Sequence, residues 1–258
     1  MRFASLGSGS EGNGLIVESQ DGGRSSRLMI DCGFSLKESE RRLRAAGLEP
    51  DQLDAILVTH EHGDHIDGVF RLASAYAIPV YLTHGTLTAG GAHADRCEIR
   101  IILPDLPFEL VGFGVMPVAV PHDAREPVQY VIDDGRLRLG VLTDIGHGTP
   151  HVQRAYSGLD ALVLECNHDA GLLASNPRYP DSLKRRIGGP YGHLANADAA
   201  TILAGLERGR LRTVVAAHLS RHNNTEALAR QALVSVLGED SVEVAIAAQD
   251  SGFDWISL

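Results

Sequence analysis

Short apolar runs alternate with polar turns along the whole chain, and most of the runs are of strand length. Residues 2–6, 15–18 and 27–31 (Arg2-Phe3-Ala4-Ser5-Leu6, Leu15-Ile16-Val17-Glu18 and Arg27-Leu28-Met29-Ile30-Asp31) predict three strands. Ser35-Leu36-Lys37-Glu38 has the form of a capping box, predicting a helix through about Ala46 that stops at Gly47. A buried strand is predicted over 53–59, a helix over 68–76, a strand over 78–82 and a short helix over 85–92. Residues 98–120 hold strand-like runs that finish in Val115-Met116-Pro117-Val118-Ala119-Val120. Residues 128–133 and 136–142 predict a hairpin around Asp133-Asp134-Gly135. Strands follow at 161–165 and 212–217. Between them lie a polar, Pro- and Gly-rich segment at about 169–196, with a short helix near 182–187, and then a helix over 196–207. Asn223 or Asn224 is expected to cap a helix running to about Leu237, and strands near 242–247 and 253–258 close the chain.

The ends of these strands carry Asp31, His60, His122, Asp144, His168 and His218. Two strand-rich halves, each with helices, predict an α/β (α+β) protein built as a four-layer αββα sandwich. The polar residues at the strand ends would then meet along one edge of the sandwich, where open sheets place their ligands. With no linker or low-complexity segment, residues 1–258 read as a single domain.

The densest chemistry is Val58-Thr59-His60-Glu61-His62-Gly63-Asp64-His65-Ile66-Asp67-Gly68. In extended chain His60 and His62 face the same way and can reach one point; Asp64 and His65, one bend later, can reach a second. So many imidazole and carboxylate lone pairs on one turn call for a shared cation. His60, His62 and His122 can make one site, and Asp64, His65 and His218 another. Asp144 can bridge them, and Asp31 can orient a ligand histidine from behind. A two-ion centre clamps both oxygens of a hydrolysis, with a bridging hydroxide as nucleophile. Asp64 can also orient that nucleophile or take its proton. Such donor sets accept two zinc or manganese ions, and also iron or nickel. The loop Gly7-Ser8-Gly9-Ser10-Glu11-Gly12-Asn13-Gly14 fits either a site mouth or a plain hairpin. His84, His93, His147 and His151 lack such context, and His222 stays open for its nearness to His218.

Composition narrows the classes. The 258 residues are 44% hydrophobic and 22% charged, values of an ordinary globular chain with room for a large core. No apolar run is long enough to span a membrane, and the N-terminus lacks a signal peptide's apolar core. Three scattered cysteines, Cys32, Cys97 and Cys166, give no disulfide framework, so a reducing cytoplasm is expected. The net charge of −10 excludes a generally basic surface, though not a local one such as Lys184-Arg185-Arg186. That run fits phosphate binding or a solvated helix face.

His60-Glu61-His62-Gly63-Asp64-His65, followed in order by His122, Asp144 and His218 and preceded by Asp31, resembles the metallo-β-lactamase superfamily across the whole chain. The resemblance implies an αββα sandwich with a two-metal edge site. Residues 3–13, Glu165-Cys166-Asn167-His168-Asp169, Gly192-His193-Leu194-Ala195-Asn196 and Ala217-His218-Leu219-Ser220 look like the YycJ-like (WalJ-like) exonuclease branch, which would more often have Ser at the place of Ala195. That branch implies a metal-dependent nuclease acting on DNA from a 5′ end. His168 and His193 could then protonate the leaving oxygen or bind the scissile phosphate. A glyoxalase II-type (thio)ester hydrolase and a non-catalytic, metal-stabilised binding module are the alternatives. β-Lactam hydrolysis is disfavoured without an export signal, and a flavodiiron role by the histidine at position 62. Oligomeric state is left open by the sequence.

Overall fold

The computed structural model describes residues 1–238 and 242–258. Period-two alternation builds the two sheets. The first half supplies β1 (Arg2–Gly7), β2 (Gly14–Asp21), β3 (Arg24–Ile30), β4 (Ala55–Leu57), β5 (Val80–Thr83) and β6 (Ile99–Ile102). The second supplies β7 (Phe108–Leu110), β8 (Phe113–Ala119), β9 (Val128–Asp133), β10 (Arg138–Leu142), β11 (Ala161–Glu165), β12 (Thr213–Ala217) and β13 (Glu243–Ile246). A last strand, β14 (Phe253–Ser257), returns to pair with β1. The sheets run β14-β1-β2-β3-β4-β5-β6 and β13-β12-β11-β10-β9-β8-β7.

Alternate residues of each strand go to different cores. Leu15, Val17, Leu28, Ile30, Ala55 and Leu57 face the second sheet and meet Tyr130, Ile132, Val141, Val163 and Val215. Their neighbours Ile16, Met29, Ile56 and Val58 face outward. There they pack on α1 (Leu36–Ala45) and on α3 (Val69–Tyr76), which follows the one-turn helix α2 (Gly63–Ile66). Beyond α4 (His84–Gly90), the second sheet is covered in the same way. Leu142, Leu162, Leu164, Val214 and Ala216 pack on α5 (Pro150–Ala155), α8 (Asn196–Ala204) and α9 (Glu226–Leu237). Before α8 come two short helices, α6 (Ala170–Ser175) and α7 (Asp181–Ile187). The layers are helix, sheet, sheet and helix, as the alternation predicts.

Strands β3 to β6 and β10 to β13 are parallel, so helices carry the chain back between successive members of each set. Their carboxyl ends therefore collect on one edge.

Several local expectations need correction. The helix predicted to start at Asn223 or Asn224 is capped by Thr225, whose Oγ1 accepts from Leu228 N. The two asparagines are taken by tertiary bonds instead, Asn224 to Asn196 and to the Cys166 carbonyl, Asn223 to Asn176. Helix α8 stops at Ala204, three residues short of Glu207, because the chain turns at Gly205. The capping box at Ser35 is half formed: its Oγ accepts from Glu38 N at 3.4 Å, while the Glu38 side chain pairs with Arg41 and Arg42. Helices α5 and α6 were not predicted; each is six residues, too short for a clear apolar period.

Candidate metal centre

Among the described residues, three of the six non-glycine residues with positive φ stand at this edge: Asp31 (59°), Asp144 (49°) and His218 (56°). Each follows the end of a parallel strand, and the left-handed step turns its side chain out of the sheet direction and into the edge. Such conformations cost on the order of 1–3 kcal/mol each and persist only where surrounding bonds hold them. Those bonds are present. Asp31 N donates to the Leu57 carbonyl at 2.8 Å, and His218 N to Ser8 Oγ at 2.9 Å.

One ligand atom from each of His60, His62 and His122 lies within 4.8 Å of the others, as the sequence predicts. The second predicted group, Asp64, His65 and His218, assembles within the same limit. Asp144 spans the two. It groups with His60 and His65, its Oδ2 lying 2.8 Å from His65 Nε2, and its Oδ1 stands 3.3 Å from His218 Nδ1.

A chain of hydrogen bonds fixes which imidazole nitrogens are free. Asp31 Oδ1 accepts from Thr59 N, and Oδ2 from both Thr59 Oγ1 and His65 Nδ1, all at 2.8 Å. Thr59 Oγ1 in turn lies 2.9 Å from His60 Nδ1 and accepts from it. One buried carboxylate thus holds the Nδ1 protons of a histidine in each group and turns both Nε2 atoms to the centre, where Asn13 Nδ2 stands 3.0 Å from that of His65. The predicted orienting role of Asp31 reaches His60 as well as His65. His122 Nδ1 donates to the Gly192 carbonyl at 3.1 Å, so its Nε2 also faces inward, 3.3 Å from His62 Nδ1.

The donors fit divalent cations on a direct observation. His60 Nε2 and Asp144 Oδ2 are fully buried and have no hydrogen-bond partner, although they belong to one ligand group. His65 Nε2 comes within 2.8 Å of Asp144 Oδ2 but not in hydrogen-bond geometry. Buried polar atoms are otherwise paired almost without exception, so these are lone pairs waiting on a shared ion.

The buried groups of this cluster set one another's charge. Burial pushes the Asp144 carboxyl up, but the surrounding His218 and His65 imidazoliums outweigh it and hold the group well below the carboxylate range. Burial opposes the His65 charge, yet Asp144, Asp31 and Asp64 together drive it well above the ordinary value. His218 is likewise raised to about 9 against burial, chiefly by Asp144 and by Asp64. Asp64 falls to about 2, burial being overcome by His65 and His218. His60 goes the other way: desolvation, with His65 close by, keeps it neutral and ligand-ready.

Glu165, which the sequence offers only within a motif, stands behind two histidines of the cluster. Its Oε1 lies 2.8 Å from His193 Nδ1 and 3.3 Å from His218 Nδ1, and its Oε2 accepts from Ile145 N at 2.9 Å. The signal was a charge closing the apolar run Ala161-Leu162-Val163-Leu164. Asn13 and Ser8 were also missed as individuals. Asn13 Nδ2 donates to the Asp64 carbonyl at 3.1 Å, so the glycine-rich loop braces the centre rather than standing free. Gly33 lets the turn close: a Cβ there would lie 1.9 Å from the Asp64 carbonyl oxygen.

His193 reaches the centre, 3.1 Å from Asp144 Oδ1. Burial lowers its proton affinity, but Glu165 and Asp144 more than reverse this and keep it protonated well above the usual pH. His168 joins none of the ligand groups. A cavity of about 340 Å³ opens over the cluster, lined by His62, Asp64, Asp144, His193, His218 and Arg186 among others. Arg186 pairs with Asp123 at 2.7 Å on its rim.

A family model described as "Beta-lactamase superfamily domain" matches residues 26–219. The chain is 36% identical over 247 residues to the exodeoxyribonuclease YycJ of Bacillus anthracis, covering 93% of this chain and 90% of that protein. It is 30% identical over 250 residues to the exodeoxyribonuclease WalJ of Streptococcus pneumoniae, covering 95% and 91%. Among solved structures, the metallo-beta-lactamase fold protein YhfI from Bacillus subtilis superposes with a TM-score of 0.76 at 19% identity, over 99% of each chain.

Proposed function

The chain belongs to the metallo-β-lactamase superfamily, and from that premise we propose that it is a two-metal exonuclease removing nucleotides from the 5′ end of a DNA strand. It is a metal-dependent hydrolase, and its fold implies divalent metal ions such as zinc. The observation that carries the two-ion reading is Asp144, which stands in reach of both histidine groups with a buried, unpartnered oxygen. On this reading His60, His62 and His122 hold one ion, Asp64, His65 and His218 the other, and Asp144 both. Zinc or manganese suits the nitrogen-rich set. The core shared by the two sheets supports one domain over 1–258.

When bound, the ions bring the pKa of water toward neutrality and draw charge from a phosphate. The protein's own groups do the rest. Asp64, a carboxylate lining the cavity, can orient the attacking water by accepting its hydrogen bond. Arg186 at the rim, with its Nε on Asp123 at 2.7 Å, has further guanidinium N–H groups to offer a phosphate. His193 holds its proton at Nδ1 against Glu165, and as an imidazolium in the cavity wall it can donate to the departing oxygen. His168 stands apart from the ligand groups, which favours His193 for that step. Relatives named exodeoxyribonucleases favour DNA over a thioester, and the complete ligand set disfavours an inert scaffold. Among the described residues no helix is long and apolar enough to cross a membrane.

The test is digestion of a 5′-labelled DNA oligonucleotide by metal-stripped protein refilled with Mn²⁺ or Zn²⁺. A matched RNA, a thioester substrate and His60→Ala protein run in parallel. Metal-dependent loss of nucleotides, absent in His60→Ala, is the expected result. Intact DNA beside a cleaved thioester would overturn the nuclease reading and keep the ligand set.

A further inference from the structure

The loop after α7, Gly188-Gly189-Pro190-Tyr191-Gly192-His193, joins a fixed backbone to one free ring. Its peptide groups are tied to four other segments. The Tyr191 carbonyl accepts from Asp123 N at 2.9 Å, and the Pro190 carbonyl from His147 Nδ1 at 2.8 Å. The Gly192 carbonyl holds His122 Nδ1, and His193 N donates to the Ile187 carbonyl at 2.8 Å. The loop is also pressed close, since a Cβ at Gly146 would lie 2.2 Å from the Pro190 carbonyl oxygen. The Tyr191 side chain has no share in this. It is 59% exposed, and no other aromatic side chain among the described residues is exposed.

Its position gives the ring a use. Gly192 and His193, next in the chain, line the cavity over the metal centre. So do Arg186 and Asp123, the residue bonded to the Tyr191 carbonyl. Asp123 Oδ1 lies only 3.5 Å from His122 Nε2. Tyr191 therefore stands at the rim, one peptide outside the wall. Tyr179, the aromatic inside that wall, is half-buried and edge-on to His222, their centroids 6.3 Å apart. Its ring is committed, and that of Tyr191 is not.

The charge balance points to a base rather than to more phosphates. Phosphate contacts carry sequence-independent affinity where cations are plentiful. Here Arg186 is the one arginine or lysine among the described residues lining the cavity, it already pairs with Asp123, and the chain has a net charge of −10. Every nucleobase has a π-face, and stacking on an aromatic ring is tolerant of sequence. A loop already held in place loses little conformational entropy when it binds.

We propose that Tyr191 is a stacking platform for an unpaired nucleobase of the strand whose scissile phosphate lies over the metal centre. The proposal rests on the nuclease reading. A base inside a duplex has both faces covered by its neighbours, so the partner strand must come away before the ring is used.

The experiment measures KM and kcat of metal-loaded wild type, Tyr191→Ala, Tyr191→Phe and Tyr191→Trp on two single strands of equal length, one of thymidines and one of abasic residues. Wild type should show a KM about 5–100-fold lower on the thymidine strand, the range given by stacking on one ring. That ratio should fall toward one in Tyr191→Ala, through KM rather than kcat, and be kept in Tyr191→Phe and Tyr191→Trp. Melting temperatures check that the variants fold. A ratio unchanged in Tyr191→Ala, or equal losses on both strands, overturns the proposal. With the complementary strand annealed, the wild-type KM should rise to that of Tyr191→Ala; a duplex bound as tightly as the single strand overturns it too. If neither strand is cut while bis(4-nitrophenyl) phosphate is hydrolysed, the nuclease reading fails separately. The platform is then judged by binding of the thymidine strand without turnover. Weaker binding to Tyr191→Ala than to Tyr191→Phe supports it, and equal binding overturns it.

Discussion

Replacing Asp31 by Asn changes one atom and should disturb both metal positions. Three donors converge on the carboxylate: Thr59 N on one oxygen, Thr59 Oγ1 and His65 Nδ1 on the other. An amide offers a single acceptor oxygen, so in either orientation at least one donor meets an NH₂ group. The backbone is not at fault, since Asn tolerates the φ of 59° that Asp31 adopts. An NH₂ facing His65 Nδ1 favours the tautomer with its proton on Nε2, the atom needed inward. If Thr59 Oγ1 turns instead, His60 loses the acceptor that holds its Nδ1 proton. Loss of such an outer partner lowers metal affinity about 10–100-fold, or about 1.4–2.7 kcal/mol per ion. The metal-stripped protein should also lose about 1–3 kcal/mol for the stranded donor. Chelator competition with zinc measures the first quantity and urea unfolding in excess chelator the second. Thr59→Val, which cuts the His60 arm and leaves the 2.8 Å bond between Asp31 and His65, should weaken one ion more than the other. Zinc affinities within twofold of wild type, with an unchanged urea midpoint, would refute the proposed role of the relay.

In excess chelator, stability should depend on pH through His218 and Asp64. A raised His218 stabilises fully below its unfolded value of 6.5, and that contribution disappears as pH climbs through about 9. A lowered Asp64 stabilises above its unfolded value of 3.8 and loses this as pH falls through about 2. His60, held neutral by burial, costs stability below its unfolded value of 6.5, so urea midpoints should be highest near pH 6.5 and decline toward pH 9; a midpoint still rising between pH 6.5 and 9 would contradict the charge assignments. Gly33→Ala should lower the melting temperature and impair zinc binding together. Its Cβ would sit 1.9 Å from the Asp64 carbonyl oxygen, an overpacking worth about 1–3 kcal/mol or more, at about 2–4 °C per kcal/mol. A variant that melts lower yet binds zinc normally would show that Gly33 serves packing alone. Glu165→Gln removes the charge that holds the His193 proton, and kcat on DNA should fall about 10²–10⁴-fold. A nitrophenyl phosphodiester, whose leaving group needs no proton, should be hit far less; equal losses on both would argue against His193 as the proton donor.

The turn from His60 to His65 was legible because it is local. Residues two apart in an extended chain share a direction wherever the strand lies, and the rings of His60 and His62 do meet, 4.6 Å apart. The sandwich was legible for a similar reason, since alternation such as Leu15-Ile16-Val17 states that both faces of a strand will be covered. Strand-end chemistry at Asp31, His122, Asp144 and His218 could be read as well, because parallel strands put their carboxyl ends on one edge.

What tertiary structure decided is how those side chains turn and what stands behind them. Nothing local marks Asp144 or His218 for a left-handed backbone. That conformation is unfavourable in isolation and is held by partners as remote as Ser8, 210 positions from His218. Asn223 and Asn224 looked like helix caps until distant bonds claimed them, leaving Thr225 to cap α9. Glu165 reads as the polar end of a strand, and only the arrival of His193 and His218 on its Oε1 gives it a role. Likewise, the run Lys184-Arg185-Arg186 is a uniform cluster in sequence, but the helix divides it between two cavities. The sequence alone determined which residues carry the chemistry and which edge receives them, because backbone periodicity is short-range. Which nitrogen carries a proton depends on contacts between segments far apart in the chain, and folding alone supplies those.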